Sequence, residues 1–430
     1  MQESPSDSLV AQQDKPFDLL LKGGVLLDGS HVDIAMRDGY IKESSPGSRL
    51  PALQTLELGG RVVLPGLVES HTHLDKALTS GLARNRSGTL LEAIAITGKL
   101  QRDFTREGVR KRALRMARLF LAAGVTTLRS HVDVTEDANL VTVDALLDVR
   151  EEMRGLLDIQ LVALSSSLHA SPHGRNRALY HEALRMGVDI VGGAPALDSD
   201  PRKHIDMVFE IANQFGRRID LHMDESDDPN DFYLPYLAEK TVAEGFQGRV
   251  VAGHCCSLAA VDAALAQRTI DRVRDAGIAV VTLPSANMYL QGRGDSGLVR
   301  RGITRVRELH DAGVPVACGS DNVQDPFNPF GRGDLLLVAN LLAHAAHLGS
   351  PDEQSMALQA ITTVAAAVLG LPRYGLQTGC LADLVVLDTL EPQNVLSMIP
   401  PRRFVIKSGH LVAETRTESH IETKAPSSGA

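Results

Sequence analysis

The chain has 430 residues, of which 43% are hydrophobic, 23% charged and 4% aromatic, with no tryptophan. This composition is typical of a folded α/β protein with a substantial core. The formal net charge of −9 provides no basic footprint for nucleic acid or for an anionic membrane, so a small-molecule partner is favoured.

Neither cysteines nor apolar segments indicate an oxidising or membrane environment. The four cysteines have no C-x-x-C spacing, which argues against a disulfide framework and against a cysteine zinc site. The first 15 residues are mostly polar, and no run of 18 apolar residues occurs. A cytoplasmic location is therefore expected.

The two ends of the chain share one pattern. Short β-like runs separated by glycine-containing turns fill residues 17–63, and the same pattern returns at residues 375–415. We predict a small β-sandwich domain built from both parts. The polar segments 1–16 and 416–430 are predicted to be disordered.

Residues 64–374 alternate apolar, strand-like runs with helical patterns. The eight runs are residues 63–70, 125–134, 159–166, 188–194, 219–223, 250–255, 278–283 and 314–319. Continuous hydrophobic strands separated by helices indicate a parallel sheet covered by helices. A count of eight favours a closed (β/α)8 TIM barrel over an open sheet.

The first apolar run ends in His71 and His73. Residues i and i+2 of a strand point to the same face, so both imidazoles can enter one space. In a chain with 15 histidines, about half of one H-x-H pair is expected by chance. The pair therefore indicates a metal site only together with further ligand residues.

Further polar residues follow other runs at their carboxyl ends, where barrel enzymes carry their active sites. They are His131 and Asp133 at the end of the second run, His222, Asp224 and Glu225 at the end of the fifth, His254 at the end of the sixth and Asp321 at the end of the eighth. Three imidazoles and one carboxylate suit Zn²⁺ or Fe²⁺, whose open position can hold a water with a pKa lowered toward ~7.

These residues resemble the amidohydrolase superfamily, and more narrowly its cytosine deaminase-like family, close to bacterial cytosine deaminases and N-isopropylammelide amidohydrolases. The H-x-H pair, the histidines after runs five and six and the aspartate after run eight match the superfamily's order. The narrower resemblance rests on residues 85–90, 129–134, 222–225, 290–293 and 301–306.

The resemblance implies a role for each strand-end residue. The implied metal ligands are His71, His73, His222 and Asp321, and the implied catalytic residues are Glu225 as proton shuttle, His254 as the group that holds the attacking water and Asp321 as the acceptor of its proton. The fourth run has no lysine, so the carbamylated-lysine bridge of binuclear relatives is missing and one divalent metal, zinc or iron, is expected. The role of His131 is open: it either lines or braces the pocket, or it binds metal.

Substrate contacts are expected from Ser166, Gln291, Asn322 and Phe327. Cytosine deaminases carry a glutamine and a second aspartate where this chain has Ser166 and Asn322, so cytosine is expected to be a poor substrate.

The predicted function is metal-dependent hydrolysis of a C–N bond of a small pyrimidine- or triazine-like heterocycle, with release of ammonia or an amine. The alternatives are release of an alkylamine from an s-triazine, opening of a cyclic amide, or a metal-free scaffold without activity. A homo-oligomer is expected.

Overall fold

The computed structural model describes residues 15–48 and 51–421. Its centre is a parallel sheet of eight strands in sequential order. These strands are β6 (Leu67–Thr72), β7 (Val125–Asp133), β8 (Asp158–Leu164), β9 (Ile190–Gly193), β10 (Arg218–Met223), β11 (Val250–His254), β12 (Ala279–Thr282) and β13 (Val316–Cys318). Every predicted apolar run overlaps one of them.

The sheet closes between its first and last strands. Thr72, at the end of β6, pairs with Asp321, three residues beyond β13. The peptide nitrogen of Asp321 donates to the peptide oxygen of His71 at 2.8 Å. The hydroxyl of Thr72 donates to the peptide oxygen of Asp321, also at 2.8 Å. This seam completes a barrel and brings residues about 250 positions apart into contact.

Helices cover the barrel and connect its strands. They are α1 (Leu90–Gln101), α2 (Arg106–Ala122), α3 (Val141–Glu152), α4 (Arg175–Met186), α5 (Pro201–Phe215), α6 (Leu234–Ala243), α7 (Ser257–Ala260), α8 (Ala263–Asp275), α9 (Pro284–Leu290), α10 (Val306–Asp311), α11 (Leu335–Ala345), α12 (Pro351–Gln359), α13 (Thr363–Leu369) and α14 (Val395–Met398). Among the described residues, no helix combines the length and apolar character needed to cross a bilayer.

Helix α5 illustrates how the local sequence defines these elements. Asp200 caps its first turn by accepting from the peptide nitrogen of Lys203, and proline occupies the first helical position. Gly216 ends the helix with a φ of 64°, a left-handed conformation that glycine adopts without a Cβ clash. Apolar residues at helical spacing, including Ile205, Val208 and Phe209, are buried against the barrel.

Two four-stranded sheets lie beside the barrel. One has the order β3-β2-β1-β4 and the other β16-β15-β14-β5. Their strands are β1 (Phe17–Val25), β2 (His31–Arg37), β3 (Tyr40–Ser45), β4 (Ala52–Glu57), β5 (Val63–Pro65), β14 (Leu384–Leu387), β15 (Arg402–Lys407) and β16 (His410–Glu414). Leu21, Ile34 and Met36 of the first sheet pack with Val386 and Ile406 of the second.

This arrangement confirms the predicted barrel with a small sandwich made from both chain ends. The residue bounds proposed for these domains stay a prediction, and β5 spans the first of them. The segments predicted to be disordered lie largely outside the described residues.

A buried ion pair joins the sandwich to the barrel. The guanidinium of Arg402 on β15 contacts the carboxylate of Asp334, which also caps the first turn of α11. Both side chains are 5% exposed. Arg402 also donates to the peptide oxygens of Ala123 and Pro400. The same carboxylate meets Arg332 at 2.8 Å, but that arginine side chain is 65% exposed.

We expect the two arginines to contribute unequally to stability. Arg402→Ala should lower the free energy of unfolding by about 3–5 kcal/mol, because it leaves a buried carboxylate without its partner. Arg332→Ala should cost less than about 1 kcal/mol, because water screens the exposed pair. Urea denaturation of both variants measures the difference. Equal losses of the free energy of unfolding would show that the buried ion pair contributes no more than the exposed one.

Candidate active site

Five of the predicted site residues meet at the carboxyl ends of the barrel strands. His71 lies on β6 and His73 directly follows that strand. His222 and His254 lie on the neighbouring strands β10 and β11, and Asp321 follows β13. All five are at least nine-tenths buried. The structure therefore brings the four predicted metal ligands together with the predicted water-holding histidine.

The distances between these side chains are short. Nε2 of His73 lies 3.2 Å from Nε2 of His222 and 3.1 Å from a carboxylate oxygen of Asp321. Nε2 of His71 lies 3.6 Å from the same oxygen. Two atoms bonded to one tetrahedral zinc ion at about 2.1 Å are about 3.4 Å apart. The spacing thus fits a shared metal ion.

Unsatisfied polar atoms support the same conclusion. Both ring nitrogens of His71, Nδ1 of His222, Nε2 of His254 and both carboxylate oxygens of Asp321 are buried without a hydrogen-bond partner. Ligand atoms of His71, His222, His254 and Asp321 all lie within 4.8 Å of one another. Buried polar atoms are normally satisfied, so the free lone pairs of His71, His222 and Asp321 are explained by an ion that binds between these side chains. The donor set fits a divalent metal.

Burial also determines the protonation of the histidines. It is the main cause that lowers the pKa of His71, His73 and His222 well below the ordinary value. The pKa of His254 falls to about 4 for the same reason. Neutral imidazoles keep a lone pair for a metal, which protonated rings do not.

Three residues at or just beyond the ends of these strands have an uncommon backbone conformation. Asp224, His254 and Asp321 have φ values of 49°, 66° and 58°. Left-handed backbone costs energy in residues with a Cβ and is found mostly where function requires it. Here the turns lie where the barrel strands β10, β11 and β13 end.

Polar residues that the sequence did not single out hold this arrangement. The buried carboxylate of Glu69 accepts from the peptide nitrogens of His71 and Ser320, each at 3.0 Å. Burial raises the pKa of Glu69 to about 7. The amide nitrogen of Asn287 lies 3.0 Å from Nδ1 of His254. Because an amide nitrogen only donates, Nδ1 accepts and the proton of His254 resides on Nε2.

His131 lies against His71 of this cluster, toward Asp220, which precedes His222 by two residues on β10. Its ring stacks on that of His71 with centroids 3.9 Å apart, and its Nε2 lies 3.8 Å from Asp220. His71, His131 and Asp220 form a second group of possible ligands. However, the guanidinium of Arg129 lies 2.7 Å from Asp220 and already balances that carboxylate. Both ring nitrogens of His131 and one oxygen of Asp220 also lack hydrogen-bond partners, but the adjacent guanidinium makes this lower group less suited to a cation.

A cavity of about 390 Å³ opens above the cluster. It is bordered by His73, His222, Glu225 and Asp321 of the site. Three of the predicted substrate contacts, Ser166, Asn322 and Phe327, line it as well. The fourth, Gln291, lies elsewhere: it borders a neighbouring cavity, and its side chain donates to the peptide oxygen of Glu225 at 3.2 Å.

Lys76 is the functional candidate that sequence reasoning missed. It borders the cavity although its side chain is only 4% exposed, and its ammonium lies 2.7 Å from the carboxylate of Asp133. Burial alone would lower the pKa of Lys76, but Asp133 and Asp75 outweigh it and raise that pKa, so the group is charged. Its position three residues beyond His73 was the available signal.

Comparison with known proteins shows the family to which this chain belongs. The amidohydrolase family matches the chain over residues 79–415. The chain belongs to that family. A pterin deaminase of Rhizobium rhizogenes is 33% identical over 384 residues, covering 88% of this chain and 87% of that protein. An N-isopropylammelide isopropyl amidohydrolase of a Pseudomonas species is 29% identical, covering 93% and 98%.

A solved structure is also similar to this amidohydrolase. The 5-methylcytosine deaminase of Klebsiella pneumoniae superposes with a TM-score of 0.88 at 32% identity, covering 94% of this chain and 99% of that one. These findings confirm the predicted fold, family and reaction class. The amidohydrolase is an enzyme that hydrolyses C–N bonds other than peptide bonds, which excludes the scaffold alternative. The roles of individual residues stay predictions.

The donor set predicts one metal per chain. His71→Ala or His222→Ala should reduce the metal content from about one ion per chain to near zero, because either change opens the coordination shell. His204→Gln is the matched control, since this buried histidine pairs with Asp198 outside the cluster. Elemental analysis of the purified proteins measures the content. Two ions per active chain, or full occupancy in either alanine variant, would contradict the prediction.

Proposed function

We propose that this amidohydrolase deaminates an amino-oxo nitrogen heterocycle of pterin type, larger than cytosine, with one divalent metal. The observation that carries the proposal is the cavity of about 390 Å³, in which His73, His222 and Asp321 of the donor cluster border one space with Glu225 and the buried Lys76. His71, His73, His222 and Asp321 would hold the metal, zinc or iron. When bound, such an ion supplies an activated water near neutral pH.

Asp321 is suited to accept a proton in the first step. Both of its carboxylate oxygens lack hydrogen-bond partners, so one can serve the metal while the other remains basic. His254 lies beside Asp321 in the cluster, and its Nε2 proton is free to donate. Asn287 fixes that tautomer, and we assign His254 the task of orienting the attacking water.

Glu225 is suited to carry protons to the substrate. Its side chain is 12% exposed and borders the cavity. Burial, and then the negative charge of Asp321, raise the pKa of Glu225 well above its ordinary value. A carboxyl group that keeps its proton near neutral pH can protonate a ring nitrogen and later the departing amine.

Recognition of an oxo group follows from the remaining polar side chains. The ammonium of Lys76 is a fixed, positively charged donor, from which a ring carbonyl oxygen can accept a hydrogen bond. The amide nitrogen of Asn322 already donates to Asp325 at 2.7 Å, so its carbonyl oxygen is left to accept from a ring N–H. A donor beside an acceptor is complementary to a lactam edge, as found in pterins.

The similarity to a pterin deaminase at 33% identity supports this choice. The similarity to an N-isopropylammelide isopropyl amidohydrolase supports a second candidate, release of an alkylamine from an s-triazine. A cytoplasmic location, a homo-oligomer and the absence of a nucleic-acid partner stay predictions from sequence.

Glu225→Gln should keep the metal but lower kcat by about 10²- to 10⁴-fold, because an amide cannot shuttle a proton. The neighbouring Asp224→Asn is the matched control. Asp224 accepts from the peptide nitrogens of Tyr233 and Leu234 at 3.0 and 2.9 Å, so its loss should lower thermal stability instead. Metal analysis, melting curves and kcat together separate the two roles. Loss of metal in Glu225→Gln would mean that this glutamate is a ligand.

The substrate assignment predicts that cytosine is a poor substrate. Ser166 is too short for the two-point contact that a glutamine amide offers, and each lost contact in a closed pocket costs about 1–3 kcal/mol. Ammonia or amine release should be measured for pterin, 5-methylcytosine, cytosine and N-isopropylammelide with metal-replete enzyme. The proposal is wrong if cytosine has the highest kcat/KM of the panel, above roughly 10⁴ M⁻¹s⁻¹.

A further inference from the structure

A second cavity of about 480 Å³ adjoins the first. Leu90, Ala194, Leu197, His222 and Glu225 border both cavities. The two spaces therefore meet at the catalytic glutamate and at one of the candidate metal ligands. A group attached to a ring that reacts at this point can extend into the second cavity.

The two sides of the second cavity differ in character. One side is apolar and is formed by Leu90, Leu91, Ala196 and Leu197. The other side is polar and comes from the loops that follow β10 and α9. Its charged residues are Asp227, Asp228, Asp231, Arg293, Asp295 and Arg300.

The polar side has more negative than positive charge. Arg300 and Asp295 cancel each other, with two contacts at 2.6 and 2.9 Å. The guanidinium of Arg293 lies over the ring of Tyr289 at 4.5 Å. The three negative charges of Asp227, Asp228 and Asp231 are therefore balanced by only one remaining positive charge, that of Arg293.

Two of these three carboxylates, Asp227 and Asp228, are hydrogen-bonded and still have acceptor capacity. Asp227 uses one carboxylate oxygen to accept from the peptide nitrogen of Gly292 at 2.6 Å. Asp228 accepts from the backbone and side chain of Asn230 through a single oxygen. A carboxylate has two oxygens and about four acceptor positions, so both can bind a further donor.

We infer that the second cavity is a subsite for a substituent of the substrate ring, and that it selects hydroxyl or ammonium groups over carboxylates. This inference rests on the proposed deamination of a pterin-type ring. The apolar side covers the carbon chain of the substituent, and the carboxylates accept hydrogen bonds from its end. A carboxylate at that end would meet like charges in a partly enclosed space.

The test compares pterin with three of its 6-substituted forms: aminomethyl, hydroxymethyl and carboxylate. For the metal-replete enzyme, kcat/KM of each is divided by that of pterin. The aminomethyl and hydroxymethyl ratios should exceed the carboxylate ratio by about tenfold, the effect of one well-placed charge contact.

Two variants probe the two sides of the cavity. Asp231→Lys should reverse the preference between the aminomethyl and carboxylate forms, by about tenfold for each. Ala196→Phe should lower all three ratios, because the larger side chain fills the space. Glu239→Lys is the control, since it makes the same change in net charge at an exposed position of α6 and should leave the ratios as they are.

The outcomes separate the subsite from the proposed function. Deamination of pterin with ratios that neither Asp231→Lys nor Ala196→Phe changes would overturn the subsite alone. A carboxylate preference in the unaltered enzyme would overturn its charge selectivity. No ammonia from pterin or from any substituted form would overturn the proposed function, and the subsite with it.

Discussion

The contact between the first and the last barrel strand is the constraint on which the site depends. The peptide nitrogen of Asp321 donates a hydrogen bond to the peptide oxygen of His71, and the hydroxyl of Thr72 donates one to the peptide oxygen of Asp321, both at 2.8 Å. Glu69 reinforces them, because its carboxylate binds the peptide nitrogens of His71 and Ser320. His71 and Asp321 are separated by most of the barrel sequence, so their side chains can meet in the candidate metal site only if the barrel closes in this register. Barrel closure and the geometry of the donor set therefore depend on the same contacts.

Burial then determines what this site can bind. Neutral imidazoles surround a carboxylate whose pKa burial raises, and the polar atoms that face each other have no partners. A buried charge is stable only when it is paired or bound to a metal. Lower in the barrel, Asp220 meets the same requirement through Arg129 at 2.7 Å. The two buried carboxylates thus differ in their counter-ion, and this difference explains why the upper group suits a metal and the lower group a structural role.

The sequence predicted those features that leave a local signature. Eight apolar runs indicated eight strands because parallel strands buried on both faces contain few polar residues. Their terminal polar residues could be aligned because the carboxyl ends of barrel strands lie on one face. Lys76 was missed because lysine is usually exposed, and its burial depends on Asp133 on another strand. Asn287 was missed because its contact with His254 depends on how α9 packs. The position of Gln291 in the second cavity likewise depends on a loop conformation that no periodicity encodes.

Chemistry and recognition have different structural origins in this enzyme. The donors lie at the ends of barrel strands, where ladder hydrogen bonds and a buried carboxylate fix them. The cavity borders come mainly from α1 and from loops, including Ser166, Leu197, Asn322 and Phe327. Loops accept substitution more readily than buried strands, so the substrate can change while the reaction stays the same. Lys76 is the exception, because it lies three residues from His73 and yet borders the cavity. A cation fixed that close to the candidate metal ligands would link the proposed reaction to the proposed recognition of a ring carbonyl oxygen.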